Sequence, residues 1–178
     1  MQSNNEHLNS SQVKSCLSLF GDSNDFCKIF NPKMITKYAC QPDACINGKA
    51  PTLNTAKKAY GIDMMIGWLI LQINYINDMA GVTTKMNEEQ IENVAQNILS
   101  NTDFSSLKVT DIMLFINNLL SGKYGCFYGC VDGMFICNAL YKYKQWKMQR
   151  LGELQLELQR LQRLKEFEEW EKFKQGEK

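Results

Sequence analysis

All three prolines of this chain fall between positions 32 and 51, and the stretch from Thr52 to Lys178 contains none. Proline removes a backbone donor and pushes the residue before it out of helical space. Confining it to one short segment leaves most of the chain open to long helices. The apolar pattern fits that opening. Met65, Trp68, Leu69, Gln72, Ile73 and Ile76 recur at helical spacing in "IDMMIGWLILQINYINDMAG". Ile91, Val94, Ala95, Ile98 and Leu99 do so in "MNEEQIENVAQNILSN", and Ile112, Phe115, Ile116 and Leu119 in "LKVTDIMLFINNLLSG". Sustained period-two alternation is absent, and no hairpin dipeptide joins β-rich runs. The fold class is therefore all-α, a compact helical bundle with a long C-terminal helix. The segment around Trp68 is apolar on most sides and is expected to be the most buried helix.

Local signals mark the helix ends. Asp22 or Ser23 can cap a short second helix, and Thr52 or Asn54 the segment "LNTAKKAYG", which Gly61 ends or bends. Asn87 and Gln90 have the spacing of a reciprocal capping box. Residues 1–11 are polar and read as a disordered leader, 12–148 as the helical bundle domain, and 149–178 as an extended charged helix. The proline segment is a connection with at most one short helix, at 33–39.

From Asp132 onward the sequence predicts one long helix with Gly152 as its internal weak point. Met134, Ile136, Cys137, Leu140 and Tyr143 form a stripe wide enough to dock on the bundle. Leu151, Leu154, Leu158 and Leu161 follow at 3-4-3 spacing, a coiled-coil seam of two heptads. Leu164 and Phe167 continue it only with a shift of phase.

Between the last two helices lies "SGKYGCFYGCVDGM". Gly122 and Gly125 suit the positive φ of a helix exit, and Asp132 suits the cap of the next helix. Tyr124, Phe127 and Tyr128 either pack under this corner or, with Lys123, present aromatic faces and a cation to a partner. Both readings stay open. The loop is no phosphate cradle: it lacks the G-x4-G-K-[ST] pattern, and Asp132 would repel an anion at the helix start.

Composition bounds the chemistry. The 20 Lys and Arg nearly balance 19 Asp and Glu, so a coat of nucleic acid over the whole surface is not expected. A local basic stretch exists at Lys142, Lys144, Lys147 and Arg150, interleaved with Tyr141, Tyr143 and Trp146. Seven cysteines with no C-x2-C pair, and a single histidine at His7, give a poor zinc pattern. The expectation is small buried thiols, with no metal and no cofactor. No histidine follows position 7, and Asp63, Asp78, Asp103, Asp111 and Asp132 stand singly near element ends. That inventory predicts a protein that is not an enzyme. The longest apolar run is broken by Gln72 and Asn74 and falls short of the roughly 20 residues of a membrane span. The N-terminus lacks the apolar core of a signal peptide. A soluble intracellular protein is expected, with no membrane partner.

The segment "LKVTDIMLFINNLLSGKYGCFYGCVDGMFICNALYKY" resembles a motif of small uncharacterised proteins from Bacteroides-type phages and conjugative elements. The matching residues are Thr110, Asp111, Gly122, Tyr124, Gly125, Tyr128, Asp132 and Gly133, and weaker likeness extends over about 52 to 148. The wider layout is similar in outline to the small helical domain of phage helicase loaders and replisome organisers. This resemblance implies a phage or mobile-element protein in the bacterial host cytoplasm, an accessory of DNA replication or maintenance acting through protein–protein interaction. It carries no catalytic residue. The expected partner-binding residues are Lys123, Tyr124, Tyr128, Lys142, Lys144, Trp146, Lys147, Leu151, Leu154, Leu158 and Leu161. The partner is replication machinery or a virion component, with nucleic acid a weaker expectation and homo-oligomerisation through the C-terminal helix a further use of the seam. The alternative function is a virion or packaged structural component assembled through that helix. The helices at 88–100 and 110–120 are separated by a connection too long for a helix-turn-helix.

Overall fold

The computed structural model describes residues 2–176, with side chains from Ser10 to Lys174. It is all-α, with no named strand among the described residues. The helices are α1 (Gln2–Phe20), α2 (Ser23–Ile29), α3 (Ile35–Ala39), α4 (Pro42–Asn47), α5 (Leu53–Tyr60), α6 (Ile62–Met79), α7 (Glu88–Ser100), α8 (Val109–Leu120) and α9 (Gly133–Gly176). Single 3-10 turns stand at Pro32–Met34 and Thr102–Phe104. The chain divides into a compact unit, Met1–Lys144, and a second unit, Gln145–Lys178, a division slightly earlier than position 148.

Several helix ends form as their sequences dictate. Asp22 accepts from the amides of Asn24 and Asp25, Thr52 accepts from that of Thr55, and Asn87 and Gln90 close their reciprocal box. The 1–11 leader departs from expectation: Met1 lies outside the described residues, and the rest belongs to α1. No proline or glycine precedes Gly21, so the backbone has nothing to stop that helix until Gly21 turns at φ 71°. The proline segment also holds more helix than expected. Pro42 opens α4 at a position where a missing amide costs nothing, so proline starts a helix here as readily as it breaks one.

The most buried helix is α8 rather than α6. Every residue from Val109 to Ile116 is buried, whereas α6 leaves Ile62 and Leu71 about half exposed. The α6 face that does point inward, Met65, Trp68, Leu69, Gln72, Ile73 and Ile76, is the one its spacing predicted. Gln72 belongs to this face because it has work there. Its Nε2 and the Trp68 Nε1 both donate to the Phe30 carbonyl at 2.9 Å, satisfying an oxygen at the end of α2. Further along, the Asn77 side chain pairs with both backbone groups of Met86 at 2.9 and 3.2 Å, fixing the approach to α7.

Candidate interaction surface

α8 ends in a Schellman motif. The Gly122 amide donates to Leu119 and the Lys123 amide to Asn118, each at 3.0 Å, with Gly122 at φ 78°. The loop that follows is pinned to the segment before α7: Thr84 donates to the Gly129 carbonyl at 3.3 Å, and Val131 donates back to Thr84 at 3.0 Å. Asp132 then caps α9, accepting from the Met134 amide at 2.9 Å. Gly133 is required by contact instead of by φ. A Cβ there would stand 2.4 Å from Cγ2 of Val94, a buried residue of α7.

The corner aromatics part ways. Tyr124 is half-buried, stacks on Phe115 with centroids 5.8 Å apart at 28°, and accepts from Asn118 at 3.4 Å. Burial pushes its phenol pKa up, and the Asn118 contact offsets part of that. Phe127 packs edge-on to Phe135 at 4.9 Å. Tyr128 is 90% exposed, and Lys123 is exposed as well. Tyr124 is thus a packing residue, while Tyr128 and Lys123 remain on the surface.

α9 docks through Ile136, Ala139, Leu140 and Tyr143, all buried. Met134, expected on this stripe, is 71% exposed because the stripe begins two residues later, at Ile136, on another side of the helix. Tyr143 donates through its hydroxyl to Asp111 Oδ1 at 2.7 Å, and the other carboxylate oxygen accepts the Lys108 amide at 2.6 Å. Asp111 and Tyr143 are both fully buried. Next to them, Thr110 donates to the Cys45 carbonyl at 2.8 Å, and the Cys45 thiol donates to the Tyr38 carbonyl at 3.1 Å. Burial, with the Asp111 charge adding to it, pushes the Cys45 thiol up to about 11. Burial and the same carboxylate push Tyr143 far above the ordinary phenol range. Sequence reasoning took Asp111 for an element-end acid and Tyr143 for apolar stripe. The available signal was an acid standing between apolar positions in the first turn of a helix without a polar face.

The basic stretch is less open than its sequence suggests. Lys142 is exposed, but Lys144 pairs with Asp103 at 3.1 Å and Lys147 is buried. Trp146 is half-buried. The cysteines also differ from expectation. Cys16 and Cys45 are buried, whereas Cys40, Cys126 and Cys130 are exposed, the last two because they lie on the corner loop. Among the described residues no cluster of three metal-ligating side chains occurs.

The second unit is helix throughout its described residues. Leu151 and Leu154 are partly covered, while Leu158, Leu161, Leu164, Phe167, Trp170 and Phe173 are each at least half exposed. The four seam leucines share one face. From Leu161 the apolar residues recur every third position, and each such step falls about 60° short of a full turn, so the stripe winds away from the seam. Lys165 and Glu168 occupy the positions where the heptad would have continued. Lys174 lies over the Trp170 ring at 3.8 Å, and Phe167 packs against the same ring at 6.1 Å.

The first unit is thus a helical bundle with a tight corner before α9, and the second unit is a helix with a row of exposed apolar side chains. A family of unknown function, DUF6633, matches residues 85–160, so this chain is similar to it from the approach to α7 as far as Leu158 and the two residues after it in α9. No curated protein and no solved structure matches the chain. No helix among the described residues is long and apolar enough to cross a membrane.

Proposed function

We propose that this chain is a non-enzymatic adaptor in the DNA replication or maintenance of a phage or mobile element, with the helicase-loader type of protein–protein contact as its mode of action. The observation that carries the adaptor reading is the density of exposed apolar side chains on α9, six of them between Leu158 and Phe173. Single exposed leucines are ordinary, but a row at helical spacing marks a surface awaiting cover. Leu151, Leu154, Leu158 and Leu161 suit the apolar groove of a protein partner, read as helix-in-groove anchors. Self-pairing in parallel is disfavoured by charge. It would set Glu166, Glu168, Glu169 and Glu171 against their own copies.

The non-enzymatic reading is supported by the thiols. Burial holds Cys16, Cys27, Cys45 and Cys137 above the ordinary thiol range, the reverse of an activated nucleophile. The replication setting comes from the sequence resemblance around Thr110–Gly133. Affinity capture from host cells in which the element replicates tests the whole reading. Recovery of a helicase or primase with the wild-type chain, and its loss with Leu154→Asp plus Leu158→Asp, is the expected result. Recovery of capsid or portal protein would replace the adaptor with the virion component.

A further inference from the structure

We propose that the cleft bounded by the end of α1, α3 and α4 binds a small amphipathic carboxylate, an apolar or aromatic body bearing one negative charge. The cleft holds about 270 Å³ and lies wholly within the first unit. Three of its ten lining residues are aromatic, Phe20, Phe30 and Tyr38, and Ala44, Cys45 and Ala50 add apolar surface. Phe20 and Phe30 have ring centroids 5.4 Å apart, and Tyr38 stacks on Phe30 at 5.9 Å and 25°, so the half-buried Phe20 and Tyr38 rings border the cleft over the buried Phe30. Ala44 lines the same space with a side chain too small to fill it.

The polar groups of the lining divide into two sets. One set is committed within the protein: the Tyr38 hydroxyl donates to the Ile29 carbonyl at 3.2 Å, Thr110 to Cys45, and the Cys45 thiol to Tyr38. The other set is Lys37, Lys49 and Gln41, whose side chains make no hydrogen bond or ion pair among the described residues. No Asp or Glu lines the cleft. An apolar recess whose only charges are two uncompensated ammonium groups is complementary to an apolar acid. A neutral hydrocarbon would use the rings and ignore the lysines. A bare phosphate would do the reverse. Only a molecule with both parts uses the whole lining, and the small volume limits it to a body of about one ring with a short chain. This site is separate from the α9 seam and stands or falls independently of the adaptor reading.

The test is a calorimetric titration of the full chain with 4-phenylbutyrate and with 4-phenylbutanol, its uncharged counterpart. The acid should bind at one site, about threefold or more tighter than the alcohol, the preference that pairing with exposed lysines supplies. Lys37→Met with Lys49→Met should bring the acid down to the level of the alcohol. Ala44→Trp, at a position open to solvent, should fill the recess and remove both ligands while the helical circular dichroism spectrum stays that of the wild type. The proposal is overturned if the acid does not bind, if acid and alcohol bind equally to the wild type, or if Ala44→Trp binds the acid unchanged.

Discussion

The hydroxyl of Tyr143 donates to the carboxylate of Asp111 across 2.7 Å, and neither side chain reaches solvent. This bond ties α9 to the start of α8, and the second Asp111 oxygen holds the Lys108 amide just before α8 begins. One buried acid therefore both ends the loop into α8 and anchors the first part of α9. Removing the hydroxyl alone, by Tyr143→Phe, should cost about 1.5–3 kcal/mol because the acceptor is charged and buried. Urea denaturation followed by circular dichroism checks it. A loss below about 0.5 kcal/mol, the range of an ordinary surface change, would show that the bond is not an anchor.

The same cluster predicts a response to alkali. Burial raises the Cys45 thiol pKa in the folded chain to about 11, from an ordinary thiol value of 9.0. A raised pKa gives stability that is complete below the unfolded value and is lost as pH climbs toward the folded one. Stability should therefore fall between pH 9 and 11 as the unfolded chain releases a proton that the folded chain keeps. Cys45→Ala should reduce that slope by about one proton, measured by denaturant titrations at a series of pH values. An identical slope in the variant would contradict the assignment.

Tyr124 and Tyr128 are four residues apart and should behave oppositely. Tyr124→Ala strips a ring from Phe115 and should cost about 1–3 kcal/mol, whereas Tyr128→Ala should stay within about 0.5 kcal/mol. Thermal unfolding of the two variants side by side decides between them.

Gly133 sets how closely the first turn of α9 approaches α7. Gly133→Ala places a methyl where Cγ2 of the buried Val94 already stands, so it should cost about 1–3 kcal/mol of overpacking despite the better helix propensity of alanine. Adding Val94→Ala should recover part of that loss, and a double variant no better than Gly133→Ala would contradict the contact.

Much of the fold was legible because the signals were local and periodic. The inward faces of α6, α7 and α8, the Asn87–Gln90 box and the Asp132 cap all follow from spacing within one element. The misses share a different cause: they depend on what another element supplies. The burial of α8 over α6 follows from tertiary neighbours, as does the pairing of Lys144 with Asp103, forty-one residues earlier. The division between Tyr124 and Tyr128 belongs to the same group, since only the position of Phe115 separates two tyrosines in one glycine-rich loop. Of the candidate surface, the spacing of Leu151, Leu154, Leu158 and Leu161 placed them on one face of α9, while the basic stretch beside it was readable only as composition.

The α9 seam is the centre of the functional account, and a binding measurement with its leucines changed addresses it most directly. Calorimetry of the captured replication protein against the wild type and against Leu154→Asp with Leu158→Asp should show affinity reduced by about 100-fold or more, the loss expected when two apolar anchors become buried charges. The circular dichroism and melting of the first unit should be unchanged, since both leucines lie in the second unit. Affinity within about threefold of the wild type would place the binding surface elsewhere and contradict the account.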